Sequence, residues 1–166
     1  MKEQQEEFMA MLERCEAALF KVCLIYTDRQ PENVRDLYQE IVCALWQAWP
    51  RFRGESAEAT WVYRVAINTA VTQLRRRRKH VPIVRLTDAM VAQLTEGADE
   101  GLTERLYKLI DSLGMADRSL IMLYLDGVSS RDVAAITGLS EEAVRKRVER
   151  IKQKLVKLNT LNNGNI

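Results

Sequence analysis

The 166-residue chain has one histidine, His80, and three cysteines, Cys15, Cys23 and Cys43, with no Cys-x-x-Cys pair among them. A structural zinc site needs about four Cys, His or carboxylate ligands at close spacing, so no metal site is expected. The cysteines lie in apolar helical patterns and read as buried, reduced thiols. No apolar run approaches the ~20 residues that span a bilayer, so no membrane insertion of its own is expected. The acidic, polar start "MKEQQEEFMAMLERCE" does not read as a secretory signal, and a cytoplasmic location follows as the expectation. A Walker-type glycine loop, a His–carboxylate pair and clustered acids for magnesium are all missing, which argues against an enzyme and against any cofactor. Strand signals are almost absent too, leaving an all-α fold.

Hydrophobic residues make up 47% of the chain and charged residues 29%, enough for a packed core with a soluble surface. The formal net charge is only +2, and its distribution is more telling than its size. Basic runs occupy 75–79 and 145–157, whereas 81–102 sets Arg85 against Asp88, Glu96, Asp99 and Glu100. Charge segregated in this way points to partners. Phe8, Leu12, Cys15, Leu19 and Val22 recur at helical intervals, as do Val34, Leu37, Ile41, Ala44, Leu45 and Ala48. "TDRQPEN" separates these helices, with Pro31 suited to a helix start, and Pro50 ends the second. A third helix is expected from about Ala57 to Arg78. Pro82 opens a linker with a short helix around Asp88–Leu94. A second helical unit runs from about Thr103 to Leu158, and the tail "NTLNNGNI" frays. Two small helical domains, 1–80 and 103–160, joined by a flexible linker over 81–102, are therefore expected.

The second unit contains a helix-turn-helix pattern. Ser129 caps a short helix over 130–137, with Asp132 three residues on as in a capping box. Gly138 supplies the positive φ of a helix end, Leu139 fills the corner, and Ser140 caps the next helix. That helix repeats Val144, Val148, Ile151, Leu155 and Leu158 on one face, so Arg145, Lys146 and Glu149 point outward near its N-terminus. A recognition helix enters the major groove in that orientation, bringing such residues to base edges. Flanking Arg147, Arg150 and Lys154 fit phosphates, which position but do not specify.

The stretch "FRGESAEATWVYRVAINTAVTQLRRRRKH" places Arg64, Asn68 and Thr72 on one helix face, followed by Arg75, Arg76, Arg77, Arg78 and Lys79. Trp61 is expected to pack the core. In the preceding loop, Phe52 offers a ring for stacking, Gly54 close approach and Ser56 a hydrogen bond. Such a surface can track a single strand and hold an unstacked base.

"RDLYQEIVCALWQAW…FRGESAEATWVYRVAINTAVTQLRRRRK" resembles region 2 of the extracytoplasmic-function (ECF) sigma factors of bacterial RNA polymerase, within the sigma-70 family. "MADRSLIMLYLDGVSSRDVAAITGLSEEAVRKRVERIKQKL" is similar to their region 4. The resemblance implies a non-catalytic specificity subunit whose partners are core RNA polymerase, promoter DNA and an anti-sigma factor. It implies that Asp36, Gln39, Glu40, Leu45 and Trp46 meet the polymerase clamp helices. Phe52, Arg53, Gly54, Glu55, Ser56 and Asn68 would capture a flipped −10 base, with Arg64 and Arg75–Lys79 holding the strands. Arg145, Lys146, Arg147, Glu149, Arg150 and Lys154 would face the −35 element. The helix-turn-helix alone would also suit an autonomous regulator with an N-terminal sensing or dimerisation bundle, and basic faces occur on helical adaptor modules.

Overall fold

A computed structural model describes residues 2–78 and 101–163 as helices and short connections, with no strand among them. The helices are α1 (Lys2–Tyr26), α2 (Pro31–Ala48), α3 (Glu58–Arg78), α4 (Gly101–Asp111), α5 (Met115–Leu125), α6 (Ser130–Thr137) and α7 (Glu141–Asn163). The expected linker helix at 88–94 lies outside the described residues, as do Lys79 and His80.

Local chemistry sets the boundaries. Pro31 opens α2, where its missing N–H costs no helical hydrogen bond. The corner before it is held by the Asp28 carboxylate, which accepts from the Gln30 backbone N–H (3.1 Å) and the Asn33 amide (2.8 Å). Past Ala48 the chain tightens into a 3-10 turn, Trp49–Arg51, containing Pro50. α3 is tied to α1 by a two-pronged pair, Arg14 Nε and Nη2 donating to the Glu58 carboxylate at 3.0 and 2.8 Å.

Met11, Leu19, Leu37, Ile41, Leu45 and Val62 are fully buried where α1, α2 and α3 meet. Leu120, Ile121, Leu123, Val133 and Ile151 do the same for α5, α6 and α7. Each such side chain contributes about 1.5–3 kcal/mol by leaving water. The two groups also touch. Their buried residues form one continuous cluster, and α3 lies along α6 while α1 meets α4. The linker composition foretold two units but not their docking.

Cys15 and Cys23 are buried as expected, and burial pushes the Cys23 thiol up to about 11. Cys43 departs from the expectation: it is exposed. It follows Ile41 by two positions, a turn of roughly 200° at 3.6 residues per turn, and so lies opposite the α2 core stripe.

Candidate nucleic-acid interface

The loop between α2 and α3 is braced by aromatic rings. Phe52 stacks on Trp49 with centroids 5.6 Å apart and planes 24° apart, and lies 4.9 Å from Trp61. Trp49 in turn meets Trp61 (5.9 Å) and Phe8 (5.8 Å), and Phe8 meets Trp46 edge-on at 4.9 Å. Trp61 packs as expected. Phe52 does not present a free face, because its ring is used between two indoles, and half-buried there it stiffens the loop. Gly54 has φ 68 with nothing within 4 Å of the position a Cβ would take, so backbone conformation rather than close approach calls for glycine. Arg53 and Glu55 are exposed beside it and Ser56 is half-buried.

On α3, Arg64, Asn68 and Thr72 are exposed, as their spacing foretold, and so are Arg75 and Arg76 of the basic run. Arg77 is half-buried, with Nη1 donating to Asn33 Oδ1 at 3.5 Å. Arg78 closes the helix. An open groove of about 1070 Å³ runs between α2 and α3. Asp36, Gln39 and Glu40 line one wall, and Asn68, Thr72, Arg76 and Arg77 line the other. Two residue sets assigned separately from the sequence thus share one concavity, acidic on one side and basic on the other. Trp46 is 44% exposed at the end of α2. Leu45 is a correction: at 0% exposure it supports this surface from beneath and cannot touch a docking partner.

The helix-turn-helix is built as read. Ser129 Oγ accepts from the Asp132 backbone N–H at 3.1 Å and donates to its carboxylate at 2.7 Å. Gly138 is left-handed (φ 75), its N–H reaching the Ala134 carbonyl at 2.9 Å. Ser140 Oγ accepts from Ala143 N–H at 3.2 Å and so caps α7. Val144, Val148 and Ile151 are buried, turning Arg145, Lys146, Glu149, Arg150 and Lys154 to solvent. Arg145 and Lys146 have only i,i+4 pairs with Glu141 (3.9 Å) and Glu142 (2.6 Å). Exposed pairs of this kind are worth only about 0.3–0.5 kcal/mol, which leaves both side chains available to a ligand. Arg147 is different. Its Nε donates to Asp117 Oδ1 at 2.6 Å across to α5, so it is engaged within the fold and is not a free phosphate contact.

Several residues join the two halves, and sequence reasoning missed most of them. Tyr63 is buried and donates to Asp126 Oδ2 at 2.5 Å. Burial first, and then the Asp126 carboxylate, hold its phenol well above the ordinary tyrosine range, so it stays a donor. Lys21 pairs with the same carboxylate, and Tyr26 hydrogen-bonds Ser119. Arg29 reaches Asp111 at 3.3 and 2.5 Å. Arg64, assigned to DNA, donates from Nη2 to the Ala135 carbonyl of α6 at 2.9 Å. Partners 63 to 105 positions apart leave no local pattern to read.

Two family profiles match the chain. The profile of Sigma-70 region 2 matches residues 11–80, and that of Sigma-70 region 4 matches 103–155. The chain is similar to the ECF RNA polymerase sigma-E factor of Escherichia coli K12, at 32% identity over 73% of this chain and 71% of the relative. It is similar also to the ECF RNA polymerase sigma factor SigM of Mycobacterium tuberculosis, at 26% identity over 80% and 67%. Among solved structures, CnrH in complex with the cytosolic domain of CnrY superposes with TM-score 0.70 at 22% identity, covering 95% of this chain and 90% of that one. The sigma factor RpoE in complex with the anti-sigma factor NepR from Bartonella quintana gives 0.71 at 21%, covering 96% and 98%. At those identities the likeness is one of fold.

Proposed function

The chain belongs to the extracytoplasmic-function sigma factors of the sigma-70 family, and from that premise we infer that its two helical halves divide the reading of a promoter between them. As a sigma factor it binds core RNA polymerase, directs it to promoters for initiation and catalyses nothing itself. Units 1–80 and 103–160 are proposed to read the −10 and −35 elements, with 81–102 as the connecting linker.

The observation that carries this reading is the α2–α3 groove. A duplex reader has no use for an exposed Asn68 set between a loop at one end of its helix and arginines at the other. A melted strand does, because its unpaired base needs an amide partner and its phosphates need cations. We assign Arg53, Gly54, Glu55, Ser56 and Asn68 to base capture, with Phe52 bracing the loop. Arg64, Arg75, Arg76, Arg77, Arg78 and Lys79 hold the strands. Asp36, Gln39, Glu40 and Trp46 meet core polymerase. Arg145, Lys146, Glu149, Arg150 and Lys154 face the −35 duplex. Melting costs about 1.4 kcal/mol for each stacked step, more than a small helical bundle supplies, so strand capture has a use only with polymerase present.

An anti-sigma partner is proposed as well, since the RpoE relative is held by one in its solved structure. So is a cytoplasmic location, where polymerase and promoter are found. The autonomous-regulator reading is not favoured, because the region 2 match fills the place its sensing bundle would take. Reconstituted transcription with core polymerase on genomic fragments tests the proposal. Starts that require this protein are expected; tight palindrome-specific binding by the free chain, with no stimulated transcription, would overturn it.

A further inference from the structure

We propose that Cys43 is a modification site, at which the α2–α3 groove seats a zwitterionic peptide thiol held as a mixed disulfide, and that this adduct withholds the chain from polymerase. Cys43 is the one exposed thiol of the three, and it lies on the groove wall. Positions 36, 40, 43 and 47 share one face of α2 at helical spacing, so the thiol stands one turn beyond Glu40 and two beyond Asp36. An exposed thiol alone selects no ligand. The opposite wall of the groove does.

That wall holds Gln73, which is only 8% exposed and whose amide has no hydrogen-bond partner among the described residues. Its amide atoms are not sealed in the core but open on the groove, where a ligand can pair with them. The neighbouring hydroxyls are already used: Thr69 donates to the Val65 carbonyl and Thr72 to the Asn68 carbonyl, both at 2.8 Å. Gln73 thus has both a donor and an acceptor to offer. Asn68 and Arg76 flank it on the same wall, exposed. A peptide group fits the Gln73 amide, a carboxylate fits Arg76, and an ammonium fits Asp36 and Glu40 across the groove. A peptide thiol with free termini carries all three beside its sulfur, and about 1070 Å³ leaves room for it.

The step is a thiol–disulfide exchange. The Cys43 thiolate attacks one sulfur of a low-molecular-weight disulfide; a bond from Cys43 to that sulfur forms and the original S–S bond breaks. The departing thiolate takes up the proton that Cys43 gave away. Cys43 is thereby oxidised and the leaving half reduced, with no other electron donor or acceptor, and excess free thiol reverses the exchange. An adduct seated between Asp36, Glu40 and Asn68 stands where polymerase and the captured strand are proposed to lie. This consequence rests on the sigma-factor reading, whereas the site itself does not.

The test uses the full-length chain, with glutathione disulfide as the probe and the uncharged disulfide of mercaptoethanol as its control. Intact-mass spectrometry at exchange equilibrium reads the mixed disulfide in the wild type, Cys43→Ser, Gln73→Leu and Arg76→Ala. One glutathionyl group is expected on the wild type and none on Cys43→Ser. A net hydrogen bond changes an equilibrium constant by about two- to tenfold. The glutathione exchange constant should therefore exceed the control's by about three- to tenfold and fall about two- to tenfold in both groove variants. Arg76 is exposed, so its variant reads the groove even if Gln73→Leu folds poorly. Constants for the two disulfides within about threefold of each other, or a glutathione constant unmoved by Arg76→Ala, overturn the site. The adduct should bind core polymerase at least about tenfold more weakly, the worth of one interface anchor, and recover with dithiothreitol. Cys43→Ser should bind like the untreated chain with or without the disulfide. Adduct formation with undiminished binding overturns the regulatory role. An untreated chain that ignores core polymerase overturns the sigma-factor reading and not the site.

Discussion

Replacing Arg147 with Ala should damage the protein in a different way from replacing Arg145, although the two are neighbours in one basic run. Arg147 gives Asp117 a 2.6 Å charge-assisted bond from α7 to α5, with side chains 32% and 24% exposed. Arg145 is 63% exposed and stands 3.9 Å from Glu141 on its own helix. A hydrogen bond to a charged group is worth about 1.5–3 kcal/mol when shielded. Partial exposure and the comfort of Asp117 in the first turn of α5 reduce this to about 1–2 kcal/mol. For a chain of this size each kcal/mol moves the melting temperature by about 2–4 °C, so Arg147→Ala should melt about 2–8 °C lower. Arg145→Ala should melt within about 1 °C of wild type, its exposed pair being worth only about 0.3–0.5 kcal/mol. Binding to −35 duplexes of varied sequence, below both melting points, should reverse the order. Arg145→Ala loses discrimination at one base pair, worth about 1–3 kcal/mol, and Arg147→Ala keeps it. Thermal melts followed by circular dichroism, with competition binding beside them, decide the matter. If Arg147→Ala melts like wild type and loses DNA affinity, its pairing with Asp117 is incidental and the original assignment to phosphate stands.

Asn68→Ala should leave core binding and −35 contact intact while reducing open-complex formation, measured as lost permanganate reactivity of unpaired thymines. Glu40→Ala with Trp46→Ala should weaken association with core polymerase in a direct binding assay, with no change in melting temperature beyond about 1–2 °C. Leu45→Ala, by contrast, creates a cavity under that surface and should cost about 2–5 kcal/mol in denaturant unfolding. Iodoacetamide near neutral pH should label Cys43 alone in the native protein; Cys15 and Cys23 are buried, with burial raising both thiols, and should react only on unfolding.

What could be read in advance was what the chain decides locally. The helix-turn-helix is specified by Ser129, Asp132, Gly138 and Ser140, each acting within a few residues, and all four behave as their chemistry requires. The polar face of α3 followed from fourfold spacing in the same way. Leu45 shows two kinds of reading in conflict. It continues the stripe Val34, Leu37, Ile41, which places it inside, whereas the family resemblance placed it on the docking surface; periodicity was the better guide. Arg147 sits between Val144 and Val148 at the margin of the buried stripe, where a base can turn either to solvent or to a neighbouring helix. Only the position of Asp117, thirty residues earlier, decides which. The junction of the halves was not legible at all. Its hydrogen bonds depend on where two independently patterned bundles come to rest, and no periodicity within either encodes that.

The aromatic cluster around Phe52 carries an optical consequence. Trp46, Trp49 and Trp61 are all the tryptophans in the chain, and each belongs to that one cluster beside the Phe52–Ser56 loop. Helices α4 to α7 hold none. Emission excited at the red edge of indole absorption therefore comes from a single corner of the molecule. Base insertion into the loop, as proposed, should quench or shift that light directly, while events confined to the helix-turn-helix should leave it unchanged. The protein thus carries a built-in fluorophore beside the loop proposed to capture a strand, usable in stopped flow without a label.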